Sequence, residues 1–422
     1  MRTFTPAIAA LFIFWAVTTQ AALTIPGADG SDGSLHVTED TVIDLSQAAA
    51  AVWDTPSSSS GTNGSNAGNG VYDSEQWAVV FKYSSVTVEA GATLTFTNHP
   101  SRAPVVLLVS GDVTIDGSVN LNGKNWSSPP NLAEPGPGGF RGGTGCYSYG
   151  ACSSPGFGVG GGNTASNVGY GGSYGGTGSG GPATYGNPSL IPLIGGSGGG
   201  GDQDGQLSGG GGGGGGILIA CEGTLTINGN IIANGGSGRN SHPTHTGGGA
   251  GGGVRLVADN LAGNGMLSAV GGGGYNSGGL GRIRVEYIND QSSLQITPSP
   301  SVVQLDDSST ALIWPPADGP RVRILSIGGE MVSEDPRASF GTYPADAVIA
   351  ETDNTLVLVE TTNVEAESTV EVRVTPRTNT TFRAVDAAVD TVVSENPLII
   401  HWTAEIPVQV GHAAVQVKVV RP

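Results

Sequence analysis

The sequence predicts an all-β chain: a parallel β-helix-like solenoid with Gly-rich insertions, followed by an immunoglobulin-like β-sandwich. Three observations carry this expectation. Short apolar strands recur in a strand–turn–strand unit. Of the 72 Gly, 56 fall between Gly136 and Gly281 without erasing those units. From about Arg321 Gly becomes rare, and apolar and polar residues alternate.

The chain has 422 residues, enough for two or three domains with their own cores. Its first 21 residues read as a secretory signal. Arg2 supplies the positive start, Ile8 to Val17 is a short apolar run, and Thr19-Gln20-Ala21 offers small residues for cleavage after Ala21. The apolar run is too short to span a bilayer, and no later segment is longer. After signal removal the chain is therefore expected to carry no membrane span and to be secreted or held at the cell surface.

The repeating unit defines the next region, residues 22–297. Val113-Thr114-Ile115 leads through Asp116-Gly117 to Val119-Asn120-Leu121, and Leu225-Thr226-Ile227 leads through Asn228-Gly229 to Ile231-Ile232-Ala233. Val86 to Phe96 and Leu261 to Val270 are further copies. Alternation gives each strand one buried face, and Asp-Gly or Asn-Gly accepts the turn's positive φ at little cost. Hairpins and stacked rungs both fit the pattern. Rungs fit better, because most units follow another apolar run: Val105 to Val109, Ile217 to Cys221, Val254 to Val257.

A large Gly-rich insertion runs from about 125 to 216 and ends in eight consecutive Gly, Gly209 to Gly216. Without Cβ, extended polyproline-like strands can pack side by side, bonded to their neighbours. The ordering cost is high, and a flexible loop is the alternative. Phe140, Phe157, Tyr170, Tyr174 and Tyr185, with Tyr147 and Tyr149, are expected to pin such a layer to the solenoid rather than to face a ligand. Residues 298–320, rich in Pro and Asp, read as a linker. Residues 321–422, with strand candidates Val322 to Ile327, Leu356 to Val359, Thr369 to Val374, Leu398 to Trp402 and Ala414 to Val420, read as the sandwich.

Composition excludes some functions. The formal charge is −18 and the only lysines are Lys82, Lys124 and Lys418, so nucleic acid is not an expected partner. Export makes a Cys146–Cys152 disulfide plausible as a small staple, whereas Cys221 reads as a buried core thiol. Gly171-Gly172-Ser173-Tyr174-Gly175 spells a nucleophile elbow, but it lacks the strand–helix context that gives the motif meaning. His242 and His245 form an isolated pair, short of a zinc set. Asp29, Asp32, Asp202 and Asp204 sit on Gly-bearing turns and are the candidates for calcium; no other cofactor is expected. Polysaccharide chemistry on a solenoid face needs clustered acids with a cation, and Asp112, Asp116, Lys124 and Arg255 are the nearest set. Asp116 is more simply a turn residue, since Asn228 and Asn264 take its place in other units.

The stretch Gln76-Trp77-Ala78-Val79-Val80-Phe81-Lys82-Tyr83-Ser84-Ser85, followed by Asn98-His99-Pro100-Ser101-Arg102-Ala103-Pro104, resembles a recurring segment of secreted bacterial glycine-rich β-helix-like proteins. Val109 to Ile115 continues the resemblance, which covers roughly residues 27–290; the C-terminal part is similar to β-sandwich modules appended to such proteins. The resemblance implies export and fold, and no activity. The Gly-rich strands are also similar in composition to polyglycine layers of some phage adhesins and receptor ectodomains. The expected function is a structural or adhesive role at the surface or in the extracellular matrix, without catalysis, with extracellular glycans or other surface proteins as partners. The alternative is a carbohydrate-active enzyme, lyase or hydrolase, or a carbohydrate-binding protein using the solenoid face.

Overall fold

The computed structural model describes residues 22–56, 68–126, 133–145, 153–165, 168–202, 208–239, 245–337, 345–350, 354–378, 381–408 and 410–422. The segment expected as a signal (residues 1–21), Cys146, Cys152, Tyr147, Tyr149, Asp204 and His242 lie outside these residues. The described chain is all β apart from one 3-10 turn at Leu45–Gln47. Among the described residues no helix is long and apolar enough to cross a membrane.

The strand–turn–strand units form, and they do not close on themselves as hairpins. Val113–Ile115 pairs in parallel with Ser85–Val88 on one side and with the end of Gly216–Ile227 on the other. Beyond the turn, Ser118–Asn120 pairs in parallel with Thr93–Thr97 and with Asn230–Ile232. First limbs thus join one sheet of eleven strands, and second limbs join another of six. Register aligns Leu35, Val86, Val113, Leu225 and Leu261 in the first sheet. In the second it aligns Leu94, Val119, Ile231 and Leu267. These rows meet in one core, where burying each Leu, Ile or Val contributes ~1.5–3 kcal/mol. The turns stack too: Asn228 Nδ2 donates to Asp116 Oδ1 at 2.8 Å. Neither Gly117 nor Gly229 takes the positive φ expected of it; Gly is needed there for close approach instead, since a Cβ on Gly229 would lie 1.8 Å from Gly117 O.

The two sheets differ in pattern for a physical reason. Val105–Val109 and Ala78–Tyr83 are buried at every position, whereas second-sheet strands alternate. The outward side of the first sheet is covered by a second apolar cluster, to which Leu23 and Ile25 come from one end of the described chain and Ala311 and Ile313 from far along it. Trp53 packs on Trp314 with ring centroids 5.4 Å apart. A strand apolar on both faces is the expected result.

The stretch 298–320, expected as a linker, is partly built into this body. Ser301–Gln304 adds a parallel strand to the first sheet, and Arg255 fastens the segment after it. Its guanidinium donates to Leu312 O at 2.7 Å and pairs with Glu286 at 2.8 Å. Apolar Leu305, Ala311 and Ile313, scattered among Asp and Ser, carried too weak a periodicity to show this beforehand.

The C-terminal part holds two antiparallel sheets, of five and three strands. They enclose one core built on Val357, Val359, Val370, Val372, Ile400 and Trp402, with Trp402 Nε1 donating to Thr361 Oγ1 at 2.8 Å. All five strands expected there are present. Arg383–Asp386, Ala388–Glu395 and Glu330–Met331 are additional. They are edge strands, mostly exposed, so no alternation marked them.

Candidate functional site

The glycine region leaves the second sheet and returns to the first. Residues 121–126 follow Ser118–Asn120, and residues 209–216 run back into Gly216–Ile227. Residues 233–239 and 245–252 repeat the excursion one unit later, between Asn230–Ile232 and Gly253–Ala262. Successive amides of the returning strand bond in different directions. Gly210, Gly213 and Gly216 donate to Gly143, Phe140 and Pro137; Gly211 and Gly214 donate to Gly247 and Ala250; Gly212 and Gly215 donate to Lys124 and Leu121. Every third amide meets the same neighbour, as the threefold turn of an extended polyproline-type strand dictates. A strand bonded in this way on all sides has no room for side chains. A Cβ on Gly211 would lie 1.8 Å from Gly236 O, and one on Gly213 would lie 1.8 Å from Gly196 O. The Gly tract is therefore an ordered layer rather than a loop.

Aromatic residues pin it. Tyr174, Tyr185 and Phe157 are buried. Tyr185 Oη donates to Gly195 O at 2.7 Å, and Arg282 lies over the Tyr174 ring at 5.6 Å. The C-terminal module is fixed to the same layer by Arg373, which is 2% exposed. Arg373 donates to Val159 O and Gly161 O, both at 3.0 Å, and covers the Phe382 ring at 3.6 Å. Burial pushes its guanidinium down to about 9, which leaves it charged at neutral pH. Here a cation is held by main-chain carbonyls. No sequence pattern pointed to it, because its partners lie more than 200 residues away.

The charged residues singled out for catalysis meet different partners. Asp112 Oδ1 accepts the Thr224 amide at 2.7 Å, Asp116 accepts Asn228, and Arg255 is buried against Glu286 and residues 312–313. Lys124 contributes its main chain, donating to Glu134 O at 2.8 Å. The calcium candidates are likewise engaged. Asp29 accepts the Ser31 amide at 2.9 Å and faces the buried Lys82 ammonium at 3.4 Å. Asp32 accepts the Lys82 amide at 2.6 Å, and Asp202 accepts the His245 amide at 2.5 Å. Among the described residues no group of three or more His, Cys, Asp and Glu side chains is placed to hold a metal ion. Cys221 is buried in the core, which pushes its thiol up to about 12.

One polar cluster escaped the sequence reading. His99 Nδ1 lies 2.7 Å from Ser101 Oγ, the imidazole stacks on Tyr72 at 4.0 Å, and Tyr72 Oη donates to Asp335 at 2.6 Å. Arg337 pairs with Asp335 at 3.0 Å. Serine, histidine and aspartate meet here, but not as a nucleophile relay. The carboxylate bonds the tyrosine instead of the imidazole, and His99, Ser101 and Tyr72 are all buried. The cluster joins the body to the C-terminal module.

Burial, followed by nearby Arg337, pushes the His99 imidazole down from 6.5 to about 4. Between these pH values the unfolded chain binds a proton that the folded chain refuses, so stability falls as pH drops through the window. The expected loss reaches roughly 3 kcal/mol. Urea midpoints taken at neutral pH and near the lower limit of the window check this. His99→Gln should flatten the difference, and an unchanged pH dependence in that variant would contradict the assignment.

No protein-family model, curated protein or solved structure matches this chain.

Proposed function

We propose that the protein is an exported structural or adhesive component of the cell surface or extracellular matrix, and not an enzyme. In this reading the body is a parallel β-helix, each unit giving one limb to each of the two sheets, and the C-terminal module is an immunoglobulin-like sandwich.

The observation that carries the proposal is the glycine layer. Ordering each residue costs ~1–2 kcal/mol of backbone entropy, and the layer has almost no side chains with which to bind or transform a small molecule. What such a layer supplies is stiffness. Its amides are bonded across strands, and it offers few side chains for a protease to grip. That suits a spacer or an attachment body outside the cell better than a catalyst. The scattered engagement of Asp112, Asp116, Lys124 and Arg255 supports the same choice.

The test uses the full chain after signal removal. Beads coated with it are expected to attach to intact cells or extracted matrix under flow, and a glycan panel incubated with it is expected to release no reducing ends above background. Reproducible, protein-dependent cleavage would overturn the proposal in favour of the carbohydrate-active alternative.

A further inference from the structure

We infer that the outward face of the six-stranded sheet is a docking surface for a neutral polysaccharide; this rests on the adhesive reading above and names its partner. The face is a grid. Thr93, Ser118 and Asn230 align across neighbouring strands, and Thr95, Asn120 and Ile232 align beside them. All six are partly exposed. Parallel strands repeat every ~4.8 Å, and same-face residues along a strand every ~6.6 Å. Hydroxyl, amide and aliphatic groups therefore recur at regular spacing across the sheet.

Charge separates this face from the rest of the molecule. The chain carries −18, yet the only charged residue at an outward position of these strands is Asp44, on the edge strand. A face without charge gives neither polyanion nor polycation a reason to dock. It also lacks the Trp, Tyr and Arg anchors on which protein partners depend. What fits is a ligand that is itself neutral, extended and rich in hydroxyls. Thr, Ser and Asn each offer donor and acceptor to sugar hydroxyls, and Ile232 offers an aliphatic surface to a ring. The side chains are held in place beforehand: Asn230 Nδ2 donates to Ser118 Oγ at 3.4 Å, and Thr95 Oγ1 donates to Thr41 O at 3.3 Å. Little further ordering is needed on binding. Contacts that are weak singly add along a polymer that touches many of them at once.

The test is retention of the full chain on microcrystalline cellulose and on chitin powder, with polygalacturonate gel as the polyanion, at low and high salt. Retention on a neutral solid, insensitive to salt, is expected. T95K combined with N120K should lower it at least ~10-fold, while T114K, an outward change on the other sheet, should leave it intact. Circular dichroism and the urea midpoint report whether each variant folds. If the lysine pair does not fold, T95A with N120A removes the same hydrogen-bonding groups without adding charge, and a smaller loss is expected. No retention on either neutral solid, retention confined to polygalacturonate, or equal retention of wild type and face variants overturns the inference. Beads that attach to cells without any retention on neutral solids leave the adhesive reading standing and remove only this partner. Beads that never attach remove both.

Discussion

Gly213→Ala is expected to lower the stability of the protein by ~3 kcal/mol or more and to open the glycine layer to proteases. The added Cβ would sit 1.8 Å from Gly196 O and 2.4 Å from Gly196 C. Both are main-chain atoms, so no side chain can swing aside. Relief requires the two strands to separate, and separation breaks bonds on several sides. Gly213 donates to Phe140 and accepts from Gly136, while its neighbour Gly214 accepts from Gly196. Gly91→Ala is the matched control. Its φ is +89°, so alanine there is strained, but nothing lies within 4 Å of the added Cβ. That cost is confined to ~1–2 kcal/mol. Urea unfolding and limited proteolysis compare the two variants. Equal destabilisation would mean that the layer is not the close-packed body described above.

Arg373→Ala is expected to uncouple the C-terminal module from the layer at a cost of roughly 3 kcal/mol. The carbonyls of Val159 and Gly161 would lose a charged donor in a buried place, and the Phe382 face would lose its cation. Arg373→Lys should not restore the coupling, because an ammonium cannot reproduce a planar fork directed at two carbonyls and a ring together. The measurement is differential scanning calorimetry. Wild type should show the body and module unfolding together, and the alanine variant should show a separate, earlier transition for the module. A single transition at the wild-type temperature in Arg373→Ala would refute the role assigned to this side chain.

What the sequence revealed followed local chemistry. Asp116-Gly117 and Asn228-Gly229 marked turns, the alternation around Val113 and Leu225 marked buried faces, and the all-β class follows from both. The first unit, Ser34–Val37 with Thr41–Asp44, went unseen because its turn, Thr38-Glu39-Asp40, contains no Gly. The eight-Gly tract admitted both an ordered layer and a loop. Propensity could not choose, since the bonds that order it come from residues as distant as Lys124 and Gly247. The same limit hid Arg373 and the Tyr72–His99–Asp335 cluster. Each joins parts of the chain whose meeting depends on the finished fold. Asp112 and Arg255, grouped by residue type, separated once their real neighbours, Thr224 and Glu286, came into view.

Thr24 bonds on both sides of residue 310, donating to Ser309 O and accepting from the Ala311 amide. This buckle has a kinetic meaning. Until residue 311 has emerged, Leu23 and Ile25 lack the Ala311 and Ile313 they pack beside, and the apolar backs of Val105–Val109 and Gly216–Ile227 stand partly bare to water. A chain made from its first residue onward therefore passes through a sticky, unfinished state for most of its length. The last stretch of the body acts as a zip-fastener, sealing the hazard at the moment the second apolar cluster is complete.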